Sequence, residues 1–343
     1  MKKNFNLKKT ILFLLFLILL LFSLWYCNTA LRVRTMHGSS QAEALYYQPK
    51  DTIDVVMLGS SHVHCDINTG LLFQEYGIAA YDYSAAEQPL WCTYYYLKEI
   101  CKTQKPKLIV LELYSPARFK DDHQYGWLNE NLCGMRFSLN KLQMLFDSCE
   151  RERLSEFFPS FFVYHSRYSE LTRGDMLYPL TIAKEKRAFK GFTPFFGQSV
   201  QERPPVNKEE KGGLTAKSEL YLEKIIEYTK ENEIPLFLLV SPYIMTWEDQ
   251  MTYNRIEEIA AANELFYRNA NDDYDMMALD FSSDFNEESH LNYQGACKYS
   301  RYLGYMLKLL YELPDRRTEP GYESWAEDYE RIMTLERENS NRK

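Results

Sequence analysis

The alternation of apolar and polar positions divides the chain into an apolar amino-terminal run, a long region of short strands and helices, and a charged carboxyl-terminal end. Apolar runs typical of buried strands lie at residues 55–58, 78–84 and 107–114, and helical spacing is found between them at 67–76 and 89–103. Strands that alternate with helices predict a parallel sheet with helices packed on it. The fold class that we predict is therefore α/β.

The second half of the chain returns to the same rhythm. Helices are predicted at residues 218–232, 247–263 and 293–310, and strands at 236–241 and 276–281. Asn292 stands where its side chain would cap the last of these helices. Residues 115–217 lack the rhythm. Because structureless loops of that length are uncommon in compact domains, we predict a mainly helical insertion there.

The amino-terminal apolar run predicts a membrane anchor. Residues 11–27 carry no charge, and their number is near the lower limit of ~17 residues for a helix that spans a bilayer. A cleaved signal peptide is the alternative, but large residues, Leu24, Trp25 and Tyr26, stand where a cleavage site needs small ones. The lysines before the run predict a cytoplasmic amino terminus, so we expect a single-pass protein of the cell membrane whose main domain is extracytoplasmic.

These patterns predict five segments along the chain. They are a basic cytoplasmic end at residues 1–10, the transmembrane anchor at 11–27, a juxtamembrane linker at 28–50, the α/β domain at 51–312 with its insertion at about 115–217, and a charged tail at 313–343. The tail is expected to be a solvated helix or disordered, because it is rich in charge and poor in apolar residues.

Composition narrows the classes of partner. The formal net charge is -8, and nucleic-acid binding needs a clustered basic surface, so we predict no nucleic-acid partner. The 27 tyrosines and 20 phenylalanines suit a groove that holds sugars or acyl chains, but they equally suit an aromatic core. The seven cysteines lack a CxxC pair and are expected to be mostly buried small apolar residues.

The first candidate for chemistry is a serine that follows the first predicted strand. Gly59, Ser60 and Ser61 stand where the strand turns into a loop, and such a turn exposes a side chain at the carboxyl edge of a parallel sheet. Ser61 is therefore a candidate nucleophile. Alternatively, Ser60 and Ser61 only cap the following helix, since serine is favoured at that position.

The second candidate is a histidine near the other end of the domain. His290 follows the last predicted strand, so we expect it at the same edge of the sheet as Ser61. Histidine is the usual base for a serine nucleophile, and a nearby carboxylate fixes its tautomer. Glu287, three residues before His290, is the candidate carboxylate, and Asp284 is the alternative.

Together the two stretches resemble a known superfamily. The residues that carry the resemblance are Gly59-Ser60-Ser61 and, far downstream, Glu287-x-x-His290-Leu291-Asn292-x-x-Gly295-Ala296. This arrangement resembles the SGNH/GDSL hydrolases and, more narrowly, their membrane-anchored branch related to DltD and to the alginate O-acetylation proteins AlgJ and AlgX. The resemblance implies a flavodoxin-like three-layer α/β/α domain in which Ser61 is the nucleophile and His290 the base.

The resemblance also implies an activity. It is that of a serine esterase or O-acyltransferase which acts on a cell-envelope polysaccharide or a teichoic-type polymer through an acyl-serine intermediate, without a cofactor. A multi-pass membrane acyltransferase is a further partner that the resemblance suggests, and the chain would then be its partner subunit.

Two departures from the superfamily pattern bear on this activity. Glu287 stands where the superfamily has aspartate, and the loops after the second and third predicted strands lack the glycine and asparagine that usually form the oxyanion site. Backbone N–H groups of Ser61 and around Glu87, with the side-chain amide of Gln88, are the remaining candidates. The missing residues motivate a rival hypothesis, a non-catalytic protein that binds or assembles envelope polymers.

A metal site is not predicted. His62 and His64 would lie on one side of an extended segment, but zinc sites need a third or fourth ligand at a recognisable spacing. We expect His62, like Ser60, to line the pocket beside Ser61.

Overall fold

The computed structural model describes residues 7–181 and 188–341. Its helices are α1 (Leu7–Leu31), α2 (Ser39–Leu45), α3 (Ser61–Asp66), α4 (Thr69–Tyr76), α5 (Leu90–Ile100), α6 (Tyr114–Arg118), α7 (Leu128–Cys133), α8 (Leu139–Ser148), α9 (Ser160–Tyr164), α10 (Arg173–Leu177), α11 (Ala216–Glu231), α12 (Trp247–Ala262), α13 (Tyr274–Met277), α14 (Tyr293–Leu310) and α15 (Glu323–Ser340). Short 3-10 helices lie at Arg151–Glu156, His165–Ser169, Tyr178–Leu180, Phe189–Gly191 and Ala270–Asp273.

The chain forms two compact units. One consists of residues 7–33 and 152–181, and the other of 34–151 and 188–341. The predicted insertion at 115–217 is therefore divided: its central part groups with the amino-terminal helix, and its two ends belong to the unit that contains the sheet.

The first unit is built around α1. This helix has a mean hydropathy of 2.6 over its most apolar window and is long and apolar enough to span a membrane. Its 25 residues extend the predicted anchor at both ends and correspond to about 37 Å of helix, compared with a hydrocarbon core of about 30 Å. Near the carboxyl-terminal end of α1 the Tyr26 hydroxyl donates to the carbonyl of Met176 at 2.6 Å, and the Arg167 guanidinium donates to the carbonyl of Leu31.

The second unit contains a five-stranded parallel sheet, which confirms the α/β prediction. Its strands are β1 (Val55–Leu58), β2 (Ala80–Asp82), β3 (Leu108–Glu112), β4 (Leu236–Val240) and β5 (Phe266–Asn269), in the order β2-β1-β3-β4-β5. In register, Val55 pairs with Ala80 on one side and with Leu108 on the other. The strand order reverses between β1 and β3, and open α/β sheets bind their ligands outside the carboxyl ends of such strands.

Both faces of the sheet are covered. One core includes alternate strand residues together with side chains of α4, α14 and α15: Val55, Met57, Val110, Leu239, Leu71, Leu72, Leu303, Leu307 and Ile332. The intervening strand residues Val56, Leu58, Ile109 and Leu111 are also fully buried, which explains why these strands read as continuous apolar runs. The predicted cap of α14 is confirmed, since Asn292 Oδ1 accepts from the N–H groups of Gln294 and Gly295 at 3.1 Å.

The prediction of the last strand is wrong. Residues 276–281 begin within α13 and contain Ala278, whose backbone is left-handed (φ 53°), whereas β5 lies earlier, at Phe266–Asn269. The sequence pattern misleads here because β5 is an edge strand that leaves Phe266 exposed, so it lacks the apolar run of a buried strand.

The segments predicted as a linker and a solvated tail contribute to the second unit. Residues 39 and 41–45 of α2 are buried. The prediction of a linker is therefore wrong for residues 34–50, which pack against the rest of the unit. The tail forms α15, in which Trp325 is fully buried and donates its indole N–H to the carbonyl of Ala80 at 3.0 Å. Trp325 and Ile332 are the fully buried apolar residues of α15, and they fix this charged helix to the unit.

Candidate active site

Ser61 stands at a sharp turn between β1 and α3. Gly59 makes the turn with φ 150°, and a Cβ atom at this position would lie 2.8 Å from Glu112 Cβ. The backbone therefore needs glycine here. Ser60 takes the N-cap position of α3, and its hydroxyl donates to Glu112 Oε2 at 3.3 Å. Ser61 is the first residue of the helix and is partly exposed.

His290 contacts Ser61, and Glu287 contacts His290. His290 Nε2 lies 2.8 Å from Ser61 Oγ, and His290 Nδ1 is hydrogen-bonded to Glu287 Oε1. The other oxygen of Glu287 accepts from the Ser289 N–H at 2.7 Å. Burial raises the pKa of Glu287, but the hydrogen bonds from His290 and Ser289 outweigh burial and hold that pKa below its usual value. The carboxylate is thus ionised and bonded to the imidazole.

Asp284, the alternative carboxylate, has other partners. It is buried, and its Oδ2 accepts from the Lys298 ammonium at 2.6 Å and from the Asp280 N–H at 2.7 Å. These bonds fix the start of the loop that carries His290. Of the two candidate acids, the geometry therefore assigns the contact with His290 to Glu287.

A buried carboxylate that the sequence analysis missed ties the histidine loop to the serine helix. Asp66, the last residue of α3, accepts from the Leu291 N–H through Oδ1 at 3.0 Å. Burial raises the pKa of Asp66 well above its ordinary value. Its position five residues after Ser61 gives no pattern that distinguishes it from any other helix-end acid, so the sequence offers no signal for this role.

His62 forms an aromatic wall behind His290. Its ring stacks on Tyr114 with centroids 3.8 Å apart and lies 4.9 Å from the His290 ring. Burial, and then the charge of His290, lower the pKa of His62 well below its usual value, so this imidazole is neutral. His62 follows Ser61 in α3, but its side chain is fully buried, so it packs behind the site instead of lining an open pocket as expected.

Glu112 forms the floor below the turn. It ends β3, next to β1 in the sheet, and its Oε1 accepts from the Tyr114 N–H at 2.9 Å. Complete burial raises its pKa to about 8, although hydrogen bonds from Tyr114 and Ser60 act in the opposite direction. Sequence reasoning missed Glu112 because it ends an apolar run and looks like the polar boundary of a strand.

The two residues predicted for the oxyanion side follow β2. Glu87 has a left-handed backbone (φ 44°), and its Oε2 accepts from the Gln124 side chain at 3.0 Å. Gln88 is fully buried, and neither atom of its side-chain amide has a hydrogen-bond partner among the described residues. Within the described part of the chain, neither residue makes a hydrogen bond to Ser61 or His290.

A second cluster lies beside this site. His37 Nδ1 is 3.3 Å from His64 Nε2, and these two residues and Cys65 form a group that could hold a metal ion within the described part of the chain. The alternative in which His62 and His64 lie on one side of an extended segment does not apply, because the segment is helical: His62 packs on Tyr114 and His64 on His37. Burial lowers the pKa of both His37 and His64.

Aromatic side chains connect the second cluster to His290. The His37 ring lies 6.1 Å from Trp127 and 5.8 Å from Phe195, and the Phe195 ring meets His290 edge-on at 5.7 Å. All are partly exposed, so they form a wall that a ligand can reach. Phe195 and Trp127 come from the predicted insertion, which does shape the surroundings of the site.

Comparisons of the sequence with known proteins identify no family for this chain. No protein-family model matches the chain, and no curated protein gives a significant match. The functional argument therefore depends on the arrangement of these residues.

Proposed function

We propose that the protein is a membrane-anchored serine esterase or O-acyltransferase of the SGNH type, which acts on a cell-envelope polysaccharide or teichoic-type polymer. The observation that carries this proposal is the continuous chain of contacts from Ser61 Oγ to His290 Nε2 at 2.8 Å and from His290 Nδ1 to Glu287. Nucleophile, base and orienting acid are the parts that acyl transfer through a serine requires. The strand order β2-β1-β3-β4-β5 supports the flavodoxin-like fold of that superfamily.

The proposed reaction begins at Ser61. Its Oγ attacks the carbonyl carbon of an ester while His290 Nε2 takes the hydroxyl proton, and Glu287 stabilises the imidazolium that results. The tetrahedral intermediate collapses when the bond to the alcohol oxygen breaks, and His290 returns the proton to that oxygen. The alcohol leaves, and the acyl group remains on Ser61.

The second half of the reaction regenerates the enzyme. Water or a polymer hydroxyl loses its proton to His290 and attacks the acyl carbon, and Ser61 leaves with the proton from His290. With water the product is a carboxylic acid, and with a polymer hydroxyl it is a new ester. The wall formed by Trp127, Phe195 and His37 lies where the acyl or acceptor group would bind.

In this proposal, two hydrogen-bond donors form the oxyanion site. The N–H of Ser61, at the first position of α3, is among those that have no acceptor within the helix. The buried Gln88 amide, which lies in the loop between β2 and α5 and has no partner in the described structure, supplies the second. Removing one such donor costs roughly 100- to 1000-fold in rate in known enzymes.

The proposed location follows from α1. A helix of this length and hydropathy would anchor the chain, and the lysines before it favour a cytoplasmic amino terminus. The second unit would then lie outside the cytoplasm, where envelope polymers and their ester substituents are found.

The proposal is tested with the full chain purified in detergent. A fluorophosphonate probe should label the protein covalently, and p-nitrophenyl acetate should be hydrolysed. Ser61→Ala should abolish labelling and lower hydrolysis by about 1000-fold or more. The matched control is Ser160→Ala, because Ser160 is a partly exposed serine at the first position of another short helix, α9, and this variant should be labelled like the wild type.

Two outcomes would contradict the proposal. Labelling that persists in Ser61→Ala would show that another residue is the nucleophile. A folded wild-type protein without labelling or ester hydrolysis would instead favour the non-catalytic binding or assembly role.

A further inference from the structure

Three potential metal ligands converge beside α3 from two distant parts of the chain. His64 and Cys65 lie on α3, and His37 lies just before α2 in the segment that the sequence analysis treats as a linker. One ligand atom from each residue lies within 4.8 Å of the others. His64 and Cys65 are fully buried, and His37 is partly exposed, so an ion could enter from the side of His37.

The spacing of the two histidines fits a tetrahedral ion. Two nitrogen ligands, each about 2.0–2.1 Å from Zn²⁺, lie about 3.3 Å apart at the tetrahedral angle. His37 Nδ1 and His64 Nε2 are 3.3 Å apart. A direct hydrogen bond between two neutral imidazoles has a similar length, so the cysteine and the surrounding contacts must distinguish the two cases.

The contacts around His64 favour a ligand role. His64 Nδ1 is 3.0 Å from Ser84 Oγ. This contact lets Nδ1 carry the proton and leaves the Nε2 lone pair directed at His37, and most metal-binding histidines are oriented by such a bond on the other nitrogen. The Cys65 sulfur on the next residue then faces the same space, and imidazole with thiolate is a donor set suited to Zn²⁺.

The backbone on both sides of the cluster is fixed before any ion binds. The carbonyl of His64 accepts from the Thr193 N–H at 2.6 Å, and the carbonyl of His37 accepts from the Ala86 N–H at 2.7 Å. Gly38 has φ 141°, and a Cβ atom there would lie 2.5 Å from Ala85 Cβ, so the segment reaches this position only with glycine. Preorganised ligands need little rearrangement to bind a metal ion.

We propose that His37, His64 and Cys65 form a binding site for Zn²⁺ or a similar thiophilic divalent cation, with the fourth coordination position open to water. On binding, the Cys65 thiol loses its proton to solvent and the sulfur becomes a thiolate ligand. The ion links the segment before α2 to the helix that carries Ser61. None of its ligands is a reacting residue of the acyl transfer proposed above, although His37 also lies in the wall where the acyl or acceptor group would bind. Zn²⁺ binding and fluorophosphonate labelling therefore test the two proposals separately.

The full chain in detergent, reduced and freed of metal with a chelator, tests this site. Wild-type protein should bind one equivalent of Zn²⁺, and Co²⁺ should give d–d absorption together with a thiolate-to-cobalt charge-transfer band. Cys65→Ser should remove the charge-transfer band, and His37→Ala should weaken Zn²⁺ binding by at least about 10-fold. Ser84→Ala, which removes only the partner of His64 Nδ1, should weaken it by about 10-fold.

Matched controls use residues of the same type outside the cluster. Cys101→Ser replaces a partly exposed cysteine, and His123→Ala a partly exposed histidine, and both should retain the charge-transfer band and the Zn²⁺ affinity. Wild-type protein that binds no stoichiometric Zn²⁺ and gives no charge-transfer band would overturn the proposal, whatever the variants do. A band that survives Cys65→Ser in folded protein, as judged by circular dichroism, would also overturn it.

Discussion

The two ends of α3 face different partners, and only one of these partners can be found in the sequence. At the start of the helix, Ser61 contacts His290, which belongs to a short motif with its own acid. Two residues before the end of the helix, His64 contacts His37, a single histidine in a stretch without periodicity. A six-residue helix at the edge of the sheet thus serves two clusters. His290 could be recognised because Glu287, which orients it, is close in the sequence. His37 was missed because no such residue stands near it.

The largest expected effect comes from the acid that orients His290. Glu287→Gln should lower the rate of p-nitrophenyl acetate hydrolysis by about 100- to 10,000-fold, because the amide cannot stabilise the imidazolium and can favour the wrong tautomer. Zn²⁺ binding should not change, since Glu287 is not part of the other cluster. Hydrolysis rates and Co²⁺ spectra of the same preparation check both statements.

Asp284→Asn is the matched control for that prediction. It removes a carboxylate from the same loop, but one that is bonded to Lys298 rather than to His290. Its main effect should be on stability, about 1.5–3 kcal/mol, as expected when a hydrogen bond to a charged group is lost. If Asp284→Asn loses more activity than Glu287→Gln in folded protein, the assignment of Glu287 as the orienting acid is wrong.

A substitution at Gly38 tests the metal-binding cluster without replacing a residue of the catalytic cluster. Gly38→Ala places a Cβ atom in contact with Ala85 and requires φ 141°, which is unfavourable for alanine. His37 should move away from His64, and we expect Zn²⁺ affinity to fall by about 10- to 100-fold, as when residues that orient metal ligands are lost. Isothermal titration with Zn²⁺ measures this change. Gly321→Ala, at another left-handed position but without atoms within 4 Å of the new Cβ, is the control for backbone strain alone.

Fluorophosphonate labelling of Gly38→Ala decides how independent the two clusters are. None of the described hydrogen bonds of Ser61, His290 or Glu287 involves Gly38, so labelling should continue at close to the wild-type rate. A loss of labelling as large as the loss of Zn²⁺ affinity would mean that the clusters are coupled through α3.

The same contrast explains which parts of the molecule the sequence could predict. The parallel sheet was predictable because β1, β3 and β4 are buried on both faces and read as continuous apolar runs. The cap at Asn292 was predictable because capping is local. The edge strand β5 was not predictable, since its exposed Phe266 breaks the apolar pattern. The packing of residues 34–50 was not predictable either, since it depends on distant residues such as Thr193, which no local pattern records.

The residues of the candidate site also differ in whether the sequence identifies them. Ser61, Glu287 and His290 could be chosen from residue types and spacing, and the choice between Glu287 and Asp284 required coordinates. Asp66 and Glu112 could not be chosen, because an acid at a helix end or a strand end is ordinary until its burial and its acceptor role are known. Buried acidic residues that hold loops together are therefore a class of residue that the sequence pattern does not identify.

The last prediction concerns stability at Glu112, which lies below the turn before α3. Its pKa is raised to about 8 by burial from an ordinary value of 4.5, so the folded protein holds a proton that the unfolded chain releases in this range. Stability should then fall as pH rises from about 4.5 to about 8, by at most about 1.4 kcal/mol per pH unit from this group, and level off above that range. Glu112→Gln removes this contribution, because the amide stays neutral and can still accept from the Tyr114 N–H. Urea unfolding of both proteins at pH 5.5 and 6.5 measures the difference, and equal slopes would show that Glu112 is ionised in the fold. In that case the Glu112 side chain below Ser60 is a carboxylate anion, and the start of α3 lies over a negative charge instead of a neutral carboxyl group.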